Sequence, residues 1–155
     1  MKIMKIMKKL LLIIGIITIC SCSSSDEETK VELEVNLNPP EWIIGTWISQ
    51  DVGSNDFGWK FETNNAIQIV EGGDNGWNLK ETATGILNGY DDLTNQNQVI
   101  VEDITNDSYS VKVTFYDTRP SMITYFTYKF VKISDTEIQW VTAPTSINPL
   151  TMTKQ

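Results

Sequence analysis

The chain has 155 residues, with twelve Lys and Arg against twenty Asp and Glu, no histidine, and a formal net charge of −8. Lacking histidine, it has no Ser-His-Asp or Cys-His catalysis and no zinc site of the His/Cys type. An acidic body is repelled by nucleic acid, where affinity comes from Lys and Arg neutralising phosphates, so no nucleic-acid role is expected.

Lys2, Lys5, Lys8 and Lys9 precede an apolar run from Leu10 to Ile19. That run is too short for a hydrocarbon core of roughly 30 Å, which takes about 20 residues, and reads instead as a signal peptide over residues 1–21. Ile19-Cys20-Ser21-Cys22 resembles bacterial lipoprotein signals, in which a small residue precedes the cysteine that is diacylated and becomes the new amino terminus. The resemblance implies lipid attachment, of the palmitate kind, at Cys22; secretion with cleavage nearby and no acylation is the alternative. Ser23-Ser24-Ser25-Asp26-Glu27-Glu28 resembles the acidic export signal of surface lipoproteins of the Bacteroidetes. It implies an anchored, surface-exposed place on the bacterial outer membrane. Processing removes four of the twelve basic residues and no acid, leaving eight against twenty, a net charge of −12. With Cys22 consumed, no thiol remains for a disulfide, a nucleophile or a metal.

Residues 22–40 read as a lipidated polar tether ending in Asn38-Pro39-Pro40, which fixes extended backbone and marks a boundary. Within it Val31, Leu33, Val35 and Leu37 alternate with Glu32, Glu34, Asn36 and Asn38, a strand pattern. Either this adds an edge strand or it stays a solvated tether. The prolines interrupt any register with the next strand and favour the tether.

Residues 41–155 then form one domain. Helical periodicity is absent and period-two alternation is nearly everywhere. In Glu41-Trp42-Ile43-Ile44-Gly45-Thr46-Trp47 the glycine permits close approach, and the Trp47 indole two residues on supplies a large apolar surface for a core. Trp59 and Phe61 lead through Thr63-Asn64-Asn65 into Ile67 and Ile69, a hairpin. Trp77-Asn78-Leu79-Lys80 continues as a strand, and Gly85 to Asn97 reads as a long loop over one end. Val99 to Ile104 and Tyr109 to Tyr116 pair, Met122 to Ile133 is longer and apolar on both faces, Ile138, Leu150 and Met152 point inward on the last strands, and Trp140 lies at a strand end. The sum is eight to nine short strands with connections fit for antiparallel neighbours, and closing such a sheet hides its edges. The fold class is therefore all-β, an up-and-down antiparallel barrel, with a β-sandwich as the runner-up.

Gly45-Thr46-Trp47 at the start of the first strand resembles the Gly-x-Trp signature of lipocalin-like barrels. In that family a basic residue of the last strand commonly lies over the signature Trp. Lys154 stands at the matching place instead of the usual Arg. The resemblance implies a binding module that takes a small apolar or glycan ligand. A structural or inhibitory accessory that binds an envelope protein through its outer surface is the alternative.

The acids form no evident pair for catalysis: Asp91 and Asp92 are adjacent and diverge when extended, and Glu32 and Glu34 read as solubilising charge. No enzyme, cofactor or metal is expected. The ligand site is expected to be shallow, at the barrel end carrying the 85–97 loop, with Trp42, Tyr90 and Trp140 nearest its rim and Trp47, Trp59, Phe61, Ile67, Ile69, Trp77, Leu79, Val111, Val113 and Phe115 among the inward residues that fill the centre.

Overall fold

A computed structural model describes residues 31–49, 57–70, 75–116, 123–143 and 149–155. The expectations for residues 1–30, including the signal peptide and Cys22, lie outside the described residues. Glu32–Gln155 forms the compact unit considered below.

Alternating apolar and polar residues produce strands β1 (Gly45–Ser49), β2 (Phe57–Glu62), β3 (Asn65–Ile69), β4 (Asn75–Asn78), β5 (Ile100–Ile104), β6 (Ser108–Tyr116), β7 (Ile123–Lys132), β8 (Glu137–Trp140) and β9 (Leu150–Lys154). They form one antiparallel sheet in the order β4-β3-β2-β1-β9-β8-β7-β6-β5. This is the expected all-β, up-and-down, barrel-like fold, with nine strands among the described residues in one continuous sheet instead of the two sheets of a sandwich. The last strand makes the joint: β9 pairs with β1 through Trp47↔Lys154 and with β8 through Trp140↔Leu150. The sheet curls until its inner faces meet, since the Trp59 ring of β2 lies 5.0 Å from Tyr128 of β7, far from it in strand order.

The core inside the curl is aromatic. Trp59 is fully buried, with Phe130 at 5.4 Å and Trp140 at 5.3 Å, both edge-on, an arrangement the ring quadrupole favours. Trp47 is fully buried as well, and its indole Nε1 donates to the Ile43 carbonyl at 2.6 Å. Two glycines make room around it. Gly45 has φ +132°, where an L side chain is strained, and a Cβ there would sit 2.8 Å from Lys154 Cε. At Gly58 a Cβ would fall 1.9 Å from the Trp47 carbonyl oxygen, so β1 and β2 approach as closely as they do only with glycine.

Three readings of the chain need correction. The stretch read as a strand through Leu79 and a loop over residues 85–97 contains an α-helix, α1 (Leu79–Gly89), followed by a 3₁₀ turn at Gln96–Gln98. Asn78 ends β4 and caps the helix, its side chain accepting from the Glu81 amide at 3.1 Å. Leu79, Ala83 and Leu87 then form a buried stripe one turn apart.

The second correction concerns the sheet interior. Residues directly opposite share a face, and the partners of Trp59 and Phe61 are Gln68 and Ala66. Ile67 and Ile69 therefore lie on the other face, because the bulky rings of β2 take small or flexible neighbours across the strand. Trp77, also expected inward and covered, is 42% exposed.

The third concerns residues 32–40, which are neither a solvated tether nor a strand of the sheet. Val35 and Leu37 are fully buried in the core. β4 and β5 are the two edges of the sheet; α1 packs on β3, β4 and β6, and the extended segment runs along the helix. Its amides are met mostly by side chains: Leu33 N–H by Asn88 Oδ1 at 2.9 Å, Val35 N–H by Thr84 Oγ1 at 3.0 Å, and Asn38 N–H by the Glu102 carboxylate at 2.8 Å. Thr84 and Asn88 are four residues apart on the helix, a rise of about 6.0 Å, close to the two-residue repeat of an extended chain, roughly 6.6 Å. The alternation was thus real, but its partner is a helix face.

Candidate site, an aromatic cleft at one end of the barrel

Strand directions sort the connections into two ends. The turns at 63–64, 105–107 and 133–136 lie at one end, where β1 begins. At the other end, Ser49, Ile69, Tyr116 and Trp140 finish their strands. There β6 and β7 run on past β8: Ile123 still pairs with Tyr116, whereas β8 stops opposite Phe130.

This overhang opens a cleft of about 180 Å³ between β3 and β4 on one side and β7 and β8 on the other. Trp77 and Phe126 stand at its outer part, 42% and 47% exposed, with ring centroids 6.0 Å apart and planes at 70°. Phe115 buttresses both, 5.5 Å from each. Tyr128 and Trp140 form the inner wall, continuous with Trp59 and the core. Burial pushes the Tyr128 phenol above its ordinary value, so it stays neutral and protonated.

Gln68 and Thr142 add polar atoms, and among the described residues no Asp, Glu, Lys or Arg lines the cleft. The Thr142 hydroxyl oxygen accepts from the Lys129 amide at 3.0 Å and from Trp140 Nε1 at 3.2 Å. Its own O–H is left to donate. Among the described residues, the Gln68 amide and the Tyr128 hydroxyl make no hydrogen bond. Among the described residues the cleft therefore offers aromatic surface and three neutral hydrogen-bonding groups, without charge and without an acid/base pair. Among the described residues no group of three or more potential metal ligands occurs.

The three aromatics expected at a rim are not brought together. Trp140 lines the cleft, though fully buried. Tyr90, just beyond α1, gives its hydroxyl proton to the Tyr116 carbonyl and packs on the Tyr116 ring at 5.7 Å, outside the cleft. Trp42 lies in the 3₁₀ turn Glu41–Ile43 that precedes β1, at the opposite end. No residue from 85–97 lines the cleft. Sequence reasoning missed Trp77, Phe126, Tyr128, Gln68 and Thr142. The length of the 122–133 segment was the available signal, because a strand outrunning its neighbour leaves inner-face rings uncovered.

The signature residues do meet: Lys154 Nζ sits over the Trp47 ring at 5.2 Å, within cation–π range. A second candidate, the groove of about 410 Å³ beside α1, is lined by Glu32, Glu34, Lys80 and Glu81. Lys80 is already held there by Glu34 at 2.5 Å and by Asn36 Oδ1 at 3.1 Å. It reads as a solvated ion pair that fastens the 32–40 segment.

Compared with protein-family models, curated proteins and solved structures, the chain finds no match in any of the three. Among the described residues no helix is long and apolar enough to cross a membrane.

Proposed function

We propose that this protein is a lipocalin-like binding module anchored by lipid at Cys22 to the bacterial outer membrane, and that it takes a small uncharged ligand in the aromatic cleft. It is not an enzyme in this reading. The observation that carries it is the cleft itself: solvent-exposed Trp77 and Phe126 converge with the free Gln68 amide and Thr142 O–H in a concave space that no charged side chain lines among the described residues. Its volume is close to the roughly 150 Å³ of a cavity that holds a benzene-sized molecule, so the ligand is one ring in size. A fatty acid or a haem does not fit a space of about 180 Å³.

The reading is tested by ligand-observed NMR on the full chain with a library of neutral single-ring compounds. Saturable binding lost in Trp77→Ala, at an unchanged melting temperature, is the expected result. Binding indifferent to Trp77→Ala would refute the site.

One observation favours a second reading, a protein-binding accessory. Ile123 and Tyr125 on β7 are 63% and 64% exposed, an apolar outer surface of the kind that marks contact sites. A stable complex recovered from the native membrane and lost in Tyr125→Ser would select that reading over the first.

A further inference from the structure

We propose that the ligand of the cleft is the ring of a neutral sugar, stacked on Trp77 and read by Gln68, Tyr128 and Thr142. This rests on the reading of the cleft as a small-ligand site and narrows it to one chemistry.

The wall geometry comes first. A flat aromatic ligand is held best between two parallel faces about 7 Å apart, twice the ordinary carbon contact distance. The two exposed rings make no such slot: Trp77 meets Phe126 at 70° with centroids 6.0 Å apart, and meets Phe115 behind it at 60° and 5.5 Å. These rings pack edge to face against one another and leave the half-exposed indole as the broadest platform, with the Phe126 ring tilted beside it. One platform suits a pyranose, whose axial C–H groups carry partial positive charge toward the negative face of the indole. The opposite edge of the sugar bears hydroxyls that need partners of their own.

Those partners are present and unused. Thr142 has both lone pairs occupied, by the Lys129 amide and Trp140 Nε1, so it serves as a donor only. Gln68 supplies both a donor and an acceptor, and Tyr128 a hydroxyl, all without partners among the described residues. A purely apolar ring would strip water from three polar groups and return nothing, which is unfavourable. A quaternary ammonium, which suits aromatic walls, also cannot use them. An anionic sugar meets no cation among the described residues of the lining and an acidic protein of net charge −8 around it. Neutral, polyhydroxylated and one ring wide is the class that uses every feature.

The test is saturation-transfer NMR on the full chain in detergent, with methyl glycosides of neutral hexoses and N-acetylhexosamines as probes. A methyl uronate, indole and choline serve as comparators. The expected result is saturable binding of at least one neutral glycoside, about tenfold weaker in Trp77→Ala and about three- to tenfold weaker in Gln68→Ala and in Thr142→Val, with the uronate bound more weakly. Melting curves identify variants that have merely unfolded; Trp77 and Gln68 are incompletely buried, so their replacement leaves the core intact. Trp77-dependent binding of indole or choline without any glycoside would overturn the sugar assignment and leave the small-ligand reading standing. Binding of no probe would overturn both.

Discussion

Replacing Leu37 by alanine separates the tether from the packed segment that the structure shows. Leu37 is fully buried, and its amide donates to the Asn64 carbonyl at 3.2 Å. A buried Leu→Ala change costs about 2–5 kcal/mol, the lost transfer energy plus the cavity left behind. A central value of about 3 kcal/mol is a large share of a total stability of roughly 5–15 kcal/mol. At about 4 °C per kcal/mol for a domain of this size, the melting temperature should fall by about 12 °C. Urea denaturation should show a lower midpoint at unchanged slope, since the surface exposed on unfolding is nearly the same. Val101→Ala, at a position 48% exposed, is the control and should move stability by no more than about 0.5 kcal/mol. Thr84→Val strikes the same segment from the helix side, because it leaves the Val35 amide without the acceptor it has at 3.0 Å; about 1–3 kcal/mol follows. A Leu37→Ala protein melting within about 2 °C of wild type would refute the packed segment, as would a chain started at Glu41 that melts like the whole.

Gly45→Ala should lower the melting temperature, with about 1–3 kcal/mol lost to the φ of +132° and the Lys154 contact. Gly85→Ala, where nothing lies within 4 Å in a helix interior, should raise stability by about 0.8–1 kcal/mol; thermal melts of the pair with the signs reversed would contradict both assignments. Lys154→Met should cost about 0.5–1 kcal/mol in chemical denaturation through the lost cation–π contact with Trp47, and Lys154→Arg should retain it. Tyr109 is raised by burial and by its 2.6 Å hydrogen bond to Glu102, and Tyr128 by burial, so both hold their protons above the ordinary value of 10.0. The unfolded chain then binds fewer protons above pH 10, so stability, flat below that pH, should fall as pH rises past it; urea midpoints from pH 8 to 11 should show a shallower fall in Tyr109→Phe/Tyr128→Phe, and an identical slope would count against the burial of these phenols. Cells fed a clickable fatty acid should label the wild type and not Cys22→Ala; label that survives in Cys22→Ala and is lost in Cys20→Ala would move the lipid to the other cysteine.

Period-two alternation, with Gly, Asn and Asp punctuation, was enough to read the strands, because a strand exposes its pattern two residues at a time and hairpin partners are close in sequence. Trp47, Trp59, Leu150 and Met152 were legible as core for the same reason. The helix was written more faintly, in Asn78 three residues before Glu81 and in the spacing of Leu79, Ala83 and Leu87, diluted by Gly85 and by threonines that form helices poorly.

Only the tertiary structure decided the rest, because it depends on partners far away in sequence. Whether Val35 and Leu37 face water or a core turns on Thr84 and Asn88, some fifty residues on, since only there are the acceptors for their backbone. The phase of β3 was set by the rings of β2 opposite it. The cleft exists because β7 continues where β8 stops, a mismatch of lengths that no single strand records. What a segment is, strand or turn, is local; what it faces is settled by the elements that reach it last.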